Sequence, residues 1–437
     1  MGYILDPYNP QSNDLDILNS LIRQIKIADD IFECVNNLGG RWILIFNDGK
    51  DSRLFHDATG LRQVFYTDKV INEMWCASQP GLIAEELNLR LDEDALSGFI
   101  NSQQYKNNRE YWWPGDSSPF KEIKHLLPNH YLDLKKKICH RYWPKKKLNY
   151  ISLEEGIKKS SEILKGLMKS AFNRFDLAFA ITAGWDSRVL LATSKEFNKS
   201  IFYYTLIYYD LTEESPDVKI PSKLLPQLEL EHNIIRCPSH MDNEFKEIYK
   251  KNVTTAHDAW GIIAQGLYRN YPQNRVCIKA NGAEILKCYY RIAPFEKLNA
   301  EKLAKLTKMY KNYFAVKHFE KWLLEAKKVE EINNIDILDL FYWEQRMGNW
   351  QAMSQLEWDI VQEVFTPFNC RGLLTTLLST KEKYRRPPDY KLFKKLIVYL
   401  WPQVLIKPIY SGHTSIKKFL MKIHLYKFIK GVLFQFR

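Results

Sequence analysis

Apolar and polar positions in the first 144 residues alternate over short runs. Residues 41–46 read as a buried strand, Asn47-Asp48-Gly49 as a turn and residues 53–56 as the returning strand. Shorter strand patterns follow at 64–66, 74–77, 130–134 and 139–143, with helical spacing at 80–87 and 92–100. The pattern predicts a strand-rich α+β domain over residues 1–144. Pro144 opens a polar, basic stretch to Asn149 that reads as a linker.

Beyond the linker the periodicity changes. Ser152 followed by Glu155 is a capping-box signal for a helix reaching about residue 174. Residues 177–181 form a continuous apolar run, as a central parallel strand does. Further strands are predicted at 201–208, 234–236 and 276–279, with helices from near Arg188 and over 221–228. Strands alternating with helices predict a doubly wound parallel sheet in a second domain, 150–437. From about residue 295 the pattern is almost all helical, and residues 390–437 read as a basic helical tail.

Composition changes this picture little. Of 437 residues, 46% are hydrophobic and 26% charged, enough apolar material for packed cores. The seven cysteines form no C-x-x-C pair, against a disulfide framework or structural zinc. No leader pattern opens the chain and no long uncharged apolar run occurs, so a cytoplasmic protein is expected. The net charge of +12 could suggest nucleic acid. Residues 391–437, however, hold ten basic residues and no acid, leaving +2 for the first 390. Nucleic-acid binding is therefore not expected. From Ser415 the tail interleaves apolar residues with lysines, which suits either a helix docked on the body or weak contact with an anionic membrane.

The chemistry concentrates in Thr182-Ala183-Gly184-Trp185-Asp186-Ser187-Arg188, between a buried strand and a helix. Backbone N–H groups at such a junction attract anions, and small residues at 183 and 184 admit a phosphate. Ser187 can donate a hydroxyl and Asp186 can hold Mg²⁺. The spacing fits neither Walker A nor the dinucleotide fingerprint. The plain alternative is a strand–helix turn capped by Asp or Ser. Asn281-Gly282-Ala283-Glu284 follows the fourth strand, where Glu284 could be a second metal carboxylate or simply face a helix dipole.

The first loop resembles the S-G-G-x-D-S pyrophosphate loop of the PP-loop ATP-pyrophosphatase superfamily, and the second resembles the G-x-G-A-D-E segment of asparagine synthetases. Residues 120–132 and 141–144 resemble that family's approach to its synthetase domain. Residues 202–206, including Thr205 and Leu206, resemble its adenine-reading strand, and 217–232 the elements after it. Residues 56–66 resemble the R-D-x-x-G-x-R-P-L-Y-Y core of class II glutaminase domains. The chain is thus identified as an asparagine synthetase-related protein with a degenerate glutaminase-like, Ntn-hydrolase-like N-terminal domain.

The resemblance implies that ATP binds on 182–188, Thr205, Leu206, Asn281 and Gly282, with Mg²⁺ held by Asp186 and Glu284. It implies adenylation of a small-molecule or peptide carboxylate, release of pyrophosphate, and amide formation with ammonia or an amine. The divergent pattern resembles a branch associated with bacterial surface-polysaccharide or natural-product pathways. Class II glutaminases use an N-terminal Cys, but residue 2 is Gly and the first Cys is Cys34, so glutamine hydrolysis is not expected and ammonia would come from solution or a separate glutaminase. Asn281 stands where the family has an acid–base residue and cannot act as a base; Glu344 is the substitute considered. Lys407 is the nearest match to the family's late lysine that stabilises pyrophosphate. The alternative is a non-catalytic nucleotide-binding or scaffold homologue, suggested by Ala183, Asn281 and Ile285.

Overall fold

A computed structural model describes residues 1–28, 30–253, 255–292 and 296–410. The amphipathic tail from Ser415 lies outside the described residues. Among them, no helix is long and apolar enough to cross a membrane.

The chain is a mixed α/β protein. Its N-terminal part holds two antiparallel sheets. One runs β1 (Gly2–Leu5), β2 (Gly39–Asn47), β3 (Ser52–His56), β7 (His130–Asp133) and β8 (Ile138–Arg141); the other places β4 (Phe65–Thr67) between β5 (Cys76–Ala77) and β6 (Ile123–His125). The strand β1 and the helix α1 (Asp14–Ala28), which packs Ile17 and Leu21 beside Ile4 and Trp42, were not among the predicted elements.

After the linker comes α2 (Leu153–Arg174), whose cap forms as the sequence predicts, with Ser152 Oγ accepting the Glu155 N–H at 3.0 Å. The second sheet then has the order β11 (Asn233–Arg236), β10 (Phe202–Ile207), β9 (Leu177–Ala180), β12 (Val276–Ile278), β13 (Val364–Phe365). Every pairing in it is parallel. Helices α3 (Trp185–Thr193), α4 (Pro216–Leu224), α5 (Asp258–Asn270) and α6 (Lys391–Leu400) flank it.

Both faces are covered, which explains why its strands read as unbroken apolar runs. Leu177, Phe179, Tyr203, Ile278 and Phe365 join α2, α3 and α6 in one core; Ala178, Tyr204, Cys277 and Val364 join α5 in another. One prediction needs correction, and one short strand was not predicted. The helix expected over 221–228 begins at Pro216, where a proline fits the first turn, and ends at Leu224. The region beyond 295 contains β13, a strand of two residues, too short to leave a periodic signal.

The two parts share one core, in which Tyr3, Trp112, Trp113 and Trp143 meet Trp322, Phe341 and Trp343. Buried charge is paired across this joint. Arg41, fully buried, donates to both Asp359 oxygens at 2.9 Å, to Glu363 and to the Leu61 carbonyl. Glu344 is also fully buried. It accepts from both Arg141 terminal nitrogens, from Asn129 Nδ2 at 3.1 Å and from Trp322 Nε1 at 2.8 Å. Burial works to raise its pKa, but the Arg141 guanidinium outweighs it and holds the carboxyl below the ordinary glutamate value. Glu344 therefore ties the joint together. The acid–base part considered for it is corrected: its carboxylate is enclosed and fully engaged.

Replacing Glu344 by Leu should cost about 3–5 kcal/mol in denaturant unfolding, because Arg141 is left buried without its counter-charge. The buried His125 and His130 generate an acid sensitivity. Burial pushes both pKa values down to about 4. Stability is then full above the unfolded value near 6.5 and is lost as pH falls from there towards 4, on the order of 3 kcal/mol per histidine. Thermal melts between pH 7 and 4.5 should show the midpoint falling, and the fall should shrink in His125→Gln.

Candidate active site

The order of the parallel sheet reverses at β9. The chain leaves β9 towards β10 on one side, while β12 returns on the other. Ligands of open α/β sheets bind at such a crevice, outside the carboxyl ends of the strands. The loops leaving β9 and β12 are the two segments singled out in the sequence, so Thr182–Ser187 and Asn281–Lys287 face one another across the reversal.

The first loop is braced from within. The Thr205 hydroxyl on β10 donates to the Ile181 carbonyl at 2.8 Å and lies 2.9 Å from His232 Nε2. His232 Nδ1 is 3.1 Å from the Ser222 hydroxyl. Burial lowers the His232 pKa to about 4, so the ring is neutral, and because the Thr205 proton goes to Ile181, Nε2–H donates to Thr205. Thr205 thus supports the loop, while its neighbour Leu206 is partly buried beside β11. Ser187 Oγ accepts the Thr182 N–H at 3.2 Å and lies 2.9 Å from Thr182 Oγ1. Ala183 is buried, Thr182 is exposed, and a side chain on Gly184 would meet only Thr182 Oγ1 at 3.7 Å. The loop is therefore open to solvent at its tip.

Arg188 was expected to face phosphate. The structure turns it the other way. It is fully buried and donates to the carbonyls of Val404 (2.5 Å), Lys407 (3.0 Å) and Pro408 (3.1 Å). The Tyr410 N–H reaches the Ala183 carbonyl at 3.1 Å, so residues 404–410 strap the back of the loop. Lys407 belongs to this strap, giving its carbonyl to Arg188 while its side chain is partly exposed. Trp185 packs on Tyr390 with ring centres 5.9 Å apart.

In the second loop Gly282 has φ +95°, and a Cβ there would meet Phe368 at 3.1 Å, so only glycine suits the turn. Its N–H donates to Glu284 Oε2 at 3.1 Å. Asn281 and Glu284 are partly exposed beside it. The turn brings Glu284 and Asp186 into one small space.

A third residue occupies that space, and sequence reasoning did not single it out. Lys287 Nζ donates to Asp186 Oδ2 at 2.5 Å and stands 3.9 Å from Glu284 Oε1. Burial raises the Asp186 carboxyl to about 7; the Lys287 ammonium opposes the rise and the Glu284 charge adds to it. The Asp186–Glu284–Lys287 contact keeps Lys287 protonated, its pKa raised against the cost of burial. Asp186 Oδ1 is buried without a hydrogen-bond partner among the described residues. Asp217 at the start of α4 is the other residue missed. Its Oδ1 accepts the Ala183 N–H at 3.1 Å.

Chemically, two converging carboxylates, one with an unused buried oxygen, suit a divalent cation that takes its remaining ligands from phosphate and water. Among the described residues no group of three or more His, Cys, Asp or Glu is assembled for a metal, so these two side chains alone would not hold one tightly.

No family model matches the sequence, and no curated protein does either. Similar solved structures include an NH3-dependent NAD synthetase from Campylobacter jejuni in complex with nitrate. It is 15% identical, with 41% of this chain and 84% of that one covered, at a TM-score of 0.23. A glutamine-dependent NAD+ synthetase from Acinetobacter baumannii in complex with ADP is 13% identical, with 49% of this chain and 44% of that one covered, also at 0.23. Likeness at this level leaves the function to be argued from the site itself.

The Asp186–Lys287 pair should behave as a unit. Lys287→Met should destabilise the protein by about 3 kcal/mol, since it leaves the buried Asp186 without its counter-charge, and Asp186→Asn by less, since Lys287 keeps Glu284 at 3.9 Å. The double variant should lose less than the sum, with a coupling of about 2 kcal/mol in a double-mutant cycle of urea unfolding.

Proposed function

We propose that the chain is an ATP-dependent amide-forming ligase of the PP-loop type, similar to asparagine synthetases and without glutaminase activity of its own. One observation carries the reading. Two loops far apart in sequence meet at the reversal point of a parallel sheet and join Asp186 to Glu284 beside an open helix start. That combination suits a nucleotide triphosphate with its cation.

In this reading the first-turn amides of α3, which have no intrahelical acceptor, bind phosphate together with Thr182 and Ser187. Asp186 and Glu284 hold Mg²⁺, which neutralises charge on the phosphates when bound. Thr205, through Ile181, keeps the loop at fixed height, and the strap 404–410 keeps it from recoiling. Lys407 is the proposed lysine on the leaving pyrophosphate. The substrate carboxylate attacks the α-phosphorus, and the bond to the bridging oxygen breaks to release pyrophosphate. Ammonia or an amine then attacks the acyl carbon, loses a proton and expels AMP. Because Glu344 is sealed in the joint, the incoming amine is best supplied unprotonated rather than deprotonated by that residue.

A scaffold role is the second reading. It is favoured by the Lys287 ammonium on Asp186, where a catalytic site would hold metal. Exchange of labelled pyrophosphate into ATP, driven by candidate carboxylic acids, separates the two. An active ligase should exchange with at least one acid, and Asp186→Asn should lower the rate at least about a hundredfold. No exchange with any acid, together with no ATP binding by calorimetry, would sink the ligase reading.

A further inference from the structure

The two loops meet charges supplied by the chain itself. A divalent cation and a phosphate are the ligands the site's chemistry suits, and the chain supplies an internal stand-in for each. Lys287 Nζ contacts Asp186 at 2.5 Å and Glu284 at 3.9 Å, between the two carboxylates that would take the cation. Asp217 Oδ1 sits on the Ala183 N–H at 3.1 Å, on a backbone donor of the loop that would take a phosphate oxygen. A third observation points to a ligand beyond these stand-ins. Asp186 is 8% exposed, yet its Oδ1 is buried with no partner among the described residues. A carboxylate built only for a structural ion pair would have both oxygens satisfied. Here one oxygen is held by lysine, and the other meets no donor among the described residues, with the Glu284 carboxylate beside it.

Lys287 also lies on a short helical turn, Ala283–Lys287, that ends at Cys288 with φ +53°. Its side chain is 15% exposed, and the ammonium sits at the end of a flexible four-carbon stem. It can therefore swing off Asp186 without moving the backbone. Asp217 is equally short of commitment: it lies in the first turn of α4 and its bond to Ala183 is a single contact.

We propose that Lys287 and Asp217 are surrogate ligands, the ammonium filling the cation's place and the carboxylate a phosphate's, so that loading the site is an exchange. The incoming cation takes Asp186 and Glu284, and Lys287 transfers to the phosphate oxygens. Asp217 leaves Ala183, pushed away by the phosphate charge. The protein consequently binds neither a free divalent cation nor a free polyphosphate well and takes the two together. The identity of the nucleotide rests on the ligase reading above; the exchange itself does not.

Mn²⁺ titration of the full chain without nucleotide, followed by electron paramagnetic resonance, tests this directly. Wild type should bind Mn²⁺ only in the millimolar range, about 1 mM or weaker, as expected where an ammonium must first be displaced. Lys287→Gln, which keeps a hydrogen-bond donor for Asp186, should bind Mn²⁺ more than about tenfold tighter, whereas Lys287→Arg should stay weak. Asp217→Asn should bind inorganic pyrophosphate about tenfold tighter than wild type, again without metal. Tight Mn²⁺ binding by wild type would overturn the proposal and needs no variant to fold. So would a Lys287→Gln protein, folded by circular dichroism, that binds no tighter than wild type. If Lys287→Gln gains Mn²⁺ while no form binds ATP, the exchange stands and the ATP reading falls.

Discussion

The pairing of β9 with β12 is the constraint on which the rest depends. Leu177, Ala178 and Phe179 lie opposite Val276, Cys277 and Ile278 in parallel register. That register sets the two strands to end at the same height. Shifting one strand by one residue would turn its side chains to the opposite core, because alternate residues face opposite sides. Burial on both faces therefore fixes the relative height of two loops that share no local sequence. Asp186 and Glu284 meet because hydrophobic packing on both sides of the sheet leaves them no other arrangement.

The N-terminal part serves this arrangement from the side. Its sheets contribute tryptophans to the shared core and buried charges to the joint, where Arg41 meets Asp359 and Glu363, and Arg141 meets Glu344. Charges buried this deeply add little net stability, but they are costly to mismatch. They therefore specify how the two parts sit more than how firmly they hold. Tyr3 adds to this, its hydroxyl donating to the Val364 carbonyl on the edge strand β13 at 2.5 Å.

Much of the fold was legible in the sequence because its signals are local. The apolar runs of β9 and β12 and the Ser152 cap need only a few neighbouring residues to be read. The helix expected from residue 221 opens five residues earlier, at Pro216. The site was half legible. Asp186 and Glu284 stand in recognisable loops, whereas Lys287 and Asp217 matter only through contacts 101 and 34 residues away along the chain. The spacing of Glu284 and Lys287 on one turn was the available hint. Glu344 misled because a carboxylate on a helix carries no mark of burial, and the arginine that claims it lies 203 residues earlier.

Arg188 has a consequence of another kind. Among the described residues its guanidinium meets no carboxylate; it is solvated by the carbonyl dipoles of Val404, Lys407 and Pro408. Burial lowers its pKa only to about 10, so it stays charged under ordinary conditions. A cation held by fixed dipoles in a dry pocket is screened little by salt. Two residues away, Asp186 lives by exchanging charged partners. The same helical turn thus carries an ion pair proposed to exchange and a mooring made of uncharged carbonyls, so the loop can change ligands without losing its footing.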